Sequence, residues 1–79
     1  MKDDFSKRLG AWLAEKRKES GMLQIEVAEK MGSAKQRISN WERGYREMNA
    51  KDLVQYCEII GADLDELTDF LRRSTHAGV

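Results

Sequence analysis

The sequence predicts an all-α protein of five short helices, and three observations carry that prediction. Apolar residues recur three and four positions apart along most of the chain. Glycines at positions 21, 32, 44 and 61 punctuate those periodic segments, and proline is absent from all 79 residues. A chain of this length makes one domain, with its core expected over residues 5–73.

The first helix is expected over about residues 4–20, because Phe5, Leu9 and Leu13 fall at fourfold spacing with Trp12 beside them. Gly21 stops it. A second helix runs over 24–31 with Val27, Ala28 and Met31 inward, and Gly32 ends it. Ser33 is placed to cap a third helix over about 34–43, whose inward residues are Ile38 and Trp41 and whose stop is Gly44. Residues 45–48 read as a loop. Asn49 caps a fourth helix over about 50–60, with Leu53, Val54, Cys57 and Ile60 or Ile59 inward, and Gly61 follows. Asp63 with Glu66 three residues on makes a capping-box-like start for a fifth helix over about 64–73. Its apolar face is Leu64, Leu67, Phe70 and Leu71, and residues 74–79 are expected as a flexible tail.

Composition narrows the function. Fourteen basic and fourteen acidic residues cancel, so no global charge announces a partner. Their placement is uneven: twelve Lys/Arg against eight Asp/Glu from Met1 to Lys51, then two against six from Asp52 onward. One half is locally positive and the other negative, which suits an anionic partner on one face. Cys57 is the single cysteine, so no intramolecular disulfide forms, and a core role in a cytoplasmic protein is expected. No apolar run reaches membrane-spanning length, and no signal-peptide pattern opens the chain. His76 has no companion His or Cys, so no metal site is expected. No catalytic Ser/His/Asp or Cys/His set and no phosphate-cradling glycine loop is present. The chain is therefore expected to be neither an enzyme nor a cofactor carrier.

The stretch from Gln24 to Gly44 has a short helix, a tight turn at Gly32 and a second short helix with polar residues outside. That is the layout of a helix-turn-helix, in which the second helix enters the DNA major groove. With Ile38 and Trp41 inward, Lys35, Gln36, Ser39 and Asn40 are expected on the outward side and Arg37 on its flank. These types suit base edges: Lys for guanine O6/N7, Gln and Asn for adenine N6/N7, Ser for several edges. Arg37 suits a phosphate, a guanine or plain solvation.

From Leu9 to Leu67 the chain resembles the lambda-repressor/Cro-like, or XRE, family. The resemblance rests on Arg17, Gly21-Met22-x-Gln24, Val27-Ala28, Met31-Gly32, Ile38, Trp41-Glu42, Gly44 and Gly61-Ala62-Asp63-Leu64-Asp65-Glu66-Leu67, all in order. It implies a five-helix fold with the helix-turn-helix over 24–43, base contacts from Lys35, Gln36, Ser39 and Asn40, and a phosphate contact from Gln24. It also implies an ion pair between Arg17 and Glu42 that fixes the first helix against the third. Arg43, Tyr45, Arg46 and Lys51 follow the recognition helix, where phosphate contacts are expected. The chain departs from the family in four places. Leu23 replaces a capping residue, a loss of about 1 kcal/mol. Ser33-Ala34 stand where an apolar residue and a cap are usual. Lys16 and Ser20 replace apolar residues, and Trp12 falls where the family is often polar, which suggests packing or an interface.

The function implied is a DNA-binding transcriptional regulator, by default a repressor and often of its own gene. It would bind an inverted-repeat operator as a homodimer joined through Leu64, Leu67, Phe70 and Leu71. A chain this short is expected to hold no separate sensing domain. The other reading is an antitoxin or anti-activator that docks a protein partner through its acidic C-terminal half or Trp12.

Overall fold

The computed structural model describes residues 4–76, and they form five helices in chain order. They are α1 (Asp4–Glu19), α2 (Gln24–Met31), α3 (Lys35–Glu42), α4 (Ala50–Ile60) and α5 (Leu64–His76). Leu9 and Leu13 of α1, Val27 and Ala28 of α2, Ile38 and Trp41 of α3, Tyr56, Cys57 and Ile60 of α4, and Leu67 of α5 make a single core. Met22, Met31, Met48, Leu53 and Ile59 pack around it half-buried.

Helix ends follow local chemistry. At the end of α2, the amides of Gly32 and Ser33 turn back to the carbonyls of Glu29 and Ala28. Gly32 sits at φ +66° with open space where a Cβ would be. The left-handed backbone, not a close neighbour, is therefore the reason for glycine here. Asn49 Oδ1 accepts from the Asp52 amide at 2.8 Å, the predicted cap of α4. Asp63 Oδ1 accepts from the Asp65 amide, while Glu66 Oε1 accepts from the Asp63 amide, so α5 starts with a reciprocal cap.

The two helices of the central motif lack such caps. Leu23 has no side-chain acceptor, though Glu26 Oε1 still takes the Leu23 amide at 2.8 Å. The cap position of α3 falls on Ala34, not Ser33, and no side chain caps it. That shortens α3 by a residue at each end relative to the sequence expectation.

Other corrections concern facing. Val54, expected inward, is exposed, while Tyr56 is fully buried. Tyr56 lies three residues beyond Leu53 and four before Ile60, so helical spacing puts it on the core side and Val54 toward a flank. α5 continues three residues past its expected end, to His76, and what remains of the expected tail, 77–79, lies outside the described residues. Trp12 packs: its ring stacks on Phe70 at 5.3 Å between centroids, with Phe5 a further 6.4 Å from Phe70. Lys16 reinforces the α1–α5 seam with a 3.1 Å bond to Glu66.

α1 lies unusually close to the end of α3. A Cβ on Gly10 would stand 2.4 Å from the Trp41 carbonyl oxygen and 2.5 Å from that of Glu42. Only glycine allows that backbone approach. Gly44 closes the same junction from the other side: its φ is +78°, and a Cβ there would lie 2.7 Å from the Lys7 Cα. Among the described residues, no helix is long and apolar enough to cross a membrane.

Candidate nucleic-acid interface

α3 divides its eight residues between two tasks. Ile38, Ser39 and Trp41 are buried, and the Glu42 carboxylate is turned into the protein. Lys35, Gln36 and Arg37 are exposed and Asn40 is half-buried. Ser39, expected on the outward face, is thus corrected to a buried position. It lies one step, about 100°, round the helix from Ile38, close enough to the core to be covered. Gln36 and Asn40 lie one turn apart, and Gln36 Nε2 donates to Asn40 Oδ1 at 3.2 Å. That bond leaves Asn40 Nδ2 as a donor and Gln36 Oε1 as an acceptor. Arg37 lies on the flank toward α4, in a groove shared with Trp41, Asp52 and Gln55.

The inner end of α3 is anchored by Glu42. Arg17 grips it with two bonds, Nε to Oε2 at 2.8 Å and Nη2 to Oε1 at 3.1 Å. Gln24 Nε2 donates to Oε1 at 2.9 Å, and the Tyr56 hydroxyl donates to Oε2. Arg17 Nη1 also donates to the Met22 carbonyl at 2.8 Å. One carboxylate therefore joins α1, α2, α3 and α4, and the predicted ion pair is the centre of a larger network. The side chains of Arg17 and Glu42 are only 9% and 5% exposed. Among the described residues, every buried side-chain nitrogen or oxygen has a partner.

Burial alone would raise the Glu42 carboxyl, but hydrogen bonds from Arg17, Tyr56 and Gln24, with the Arg17 charge, hold it below its ordinary value. The bond to Glu42 raises Arg17 against the opposing effect of burial. Burial first, then the hydrogen bond to Glu42 and its charge, pushes the Tyr56 phenol far up. The carboxylate is thus ionised and neutralised inside the protein, and presents no bare negative charge to an anion outside.

The network also places Gln24. It brings the first residue of α2 beside the last residue of α3, directly before Arg43. The Glu26 amide bonds the Leu23 carbonyl at 3.0 Å, and the start of α2 carries the positive end of the helix dipole. One hydrogen of the Gln24 amide nitrogen is engaged by Glu42, and the other remains for an outside acceptor. Arg43, Tyr45, Arg46 and Lys51 are all exposed, and the Arg43 guanidinium lies 5.7 Å from the Tyr45 ring centroid. The structure therefore gathers Gln24, Arg43 and Tyr45 near one end of α3, with Lys35 at the other. Tyr56 and Gly10 escaped the sequence reading. Spacing from Leu53 and Ile60 would have found the first; a glycine inside an apolar helix pattern is the signal for the second.

The residues expected to join two copies separate in the structure. Leu67 belongs to the core, and Phe70 is stacked on Trp12. Leu71 is half-buried, and Leu64 is 53% exposed.

In comparison with known proteins, a family model described as helix-turn-helix matches residues 13–67. No curated protein and no solved structure matches the chain.

Proposed function

Because this chain belongs to the XRE-type, lambda-repressor/Cro-like helix-turn-helix family, whose domains are DNA-binding regulators, we propose that it reads a specific operator through the outward face of α3. Gln36 and Asn40 read base edges, with Lys35 and Arg37 on either side of them. Gln24 and the α2 amides, with Arg43, Tyr45, Arg46 and Lys51, hold the phosphates. The observation that supports this best is the division of labour within α3. One face is tied into the core and the Glu42 network, while Lys35, Gln36 and Arg37 on the other are exposed. Ser39 is left out of this set because it is buried.

The finer reading is a repressor, autoregulatory in the default case, that occupies an inverted repeat as a homodimer. Two recognition helices would then sit about one helical turn of DNA apart. Of the four residues expected at the dimer contact, Leu64 offers exposed apolar surface and Leu71 part of its side chain.

The test is titration against DNA from upstream of the chain's own gene, beside scrambled DNA, at low and physiological salt. Discrimination of about a thousandfold that survives physiological salt is expected. Gln36→Ala is expected to cost about 1–3 kcal/mol on the specific site and little on scrambled DNA. Equal binding to both DNAs, lost with salt, would overturn the operator reading.

A further inference from the structure

The seam between α1 and α5 carries a surface that DNA reading does not use. Trp12, Phe70, Arg8, Arg73 and Ser74 line a shallow groove of about 480 Å³. Its floor is the Trp12–Phe70 stack, and it continues toward Phe5, which is 37% exposed. Its lining holds two arginines, one from each helix, and no carboxylate. Arg73 pairs with Asp69 one turn back, but both side chains are largely in water, so that guanidinium exchanges partners readily. An aromatic floor between cationic walls complements a segment that offers an apolar side chain flanked by carboxylates.

The groove also lies away from α3. Gly10 faces the end of α3, and Trp12 follows it by two residues, about 200° round α1. Occupation of the groove and of the recognition face is therefore compatible. A second copy fits poorly here, because a two-fold contact would set the arginines of one groove against those of the other.

We propose that the α1–α5 groove docks an acidic amphipathic segment of a protein partner, its apolar residue lying on Trp12 and Phe70 and its carboxylates on Arg8 and Arg73. Within the acidic C-terminal half, the contact falls on Phe70 and Arg73 of α5 rather than on its carboxylates. The partner's charge is the complement of this groove.

The probe is a fluorescein-labelled synthetic helix with Phe and Leu along one stripe and Glu elsewhere, compared with a twin in which Lys replaces every Glu. Anisotropy titration of the full chain is expected to show binding of the acidic helix, with the Lys twin at least about tenfold weaker. Arg8→Glu, at an exposed position, should weaken the acidic helix by a similar factor while leaving thermal unfolding unchanged. The Trp12 indole resonance should shift on binding and the Trp41 one should not. Absence of binding, equal binding of both helices, or an unmoved Trp12 signal would overturn the proposal. So would displacement of the helix by duplex DNA, which would assign the groove to nucleic acid, or self-association of the chain that closes the groove. None of these outcomes depends on whether the chain selects an operator.

Discussion

At the scale of single residues, Glu42 organises the structure. Its carboxylate accepts from Arg17, Gln24 and Tyr56, and each donor comes from a different helix. Glu42→Gln leaves the Arg17 guanidinium buried without its counter-charge and is expected to destabilise by about 3 kcal/mol. A shift of the urea midpoint corresponding to less than about 1 kcal/mol would mean that Arg17 finds water or another acceptor. The pH dependence follows from the same groups. The Glu42 carboxyl is held below its ordinary 4.5, so its contribution is present above that value and is lost as pH falls through the lowered one. Burial pushes the Cys57 thiol from 9.0 up to about 11, so its contribution is intact below 9 and is lost between 9 and 11. The raised Tyr56 phenol adds a further loss above 10. Urea midpoints measured across pH should therefore form a plateau between about 5 and 9. Tyr56→Phe removes one donor from Glu42 and should move the acid limb to higher pH. An unmoved acid limb would show that the hydroxyl contributes little to holding Glu42 ionised.

At the scale of elements, the central motif trades helix-end stability for its position. Neither α2 nor α3 has a side-chain N-cap, whereas α4 and α5 do. Leu23→Ser supplies the missing acceptor and is expected to raise stability by about 1 kcal/mol, read from the urea midpoint. No gain would mean that the Glu26 bond to the Leu23 amide already satisfies that end. The helices themselves were legible in the sequence because their apolar spacing and glycine stops are local signals. The start of α3 was not: serine is the better cap by propensity, but the chain reaches the helical backbone one residue later, at Lys35. The burial of Ser39 was missed for a related reason. A two-residue apolar signal, Ile38 and Trp41, fixes the centre of a helix face but not its width. The Arg17–Glu42 pair was readable only through family resemblance, since nothing local relates residues 25 positions apart.

At the scale of the whole molecule, the fifth helix is shared between the core and the surface. Leu67 is 5% exposed and Leu64 is 53% exposed, although both lie on the apolar side of the same helix. The two substitutions should therefore separate folding from association. Leu64→Glu is expected to leave helicity intact and, if α5 joins two copies, to turn a dimer into a monomer in sedimentation. Leu67→Glu places a charge in the core and is expected to unfold the chain. A Leu64→Glu protein that sediments unchanged as a dimer would move the interface elsewhere. Amphipathicity alone could not apportion these leucines, because it counts the apolar residues of a helix without saying how many its own domain covers.

The two-sided α3 has a consequence for how such a protein diverges. Ile38, Ser39, Trp41 and Glu42 are held by the fold, whereas Lys35, Gln36 and Arg37 are exposed. Exchange of the second set leaves the scaffold unaltered, so the chain is a natural recipient for grafted specificities. Three codons could be randomised and selected against new sites, with expression level as the readout that the scaffold has not noticed.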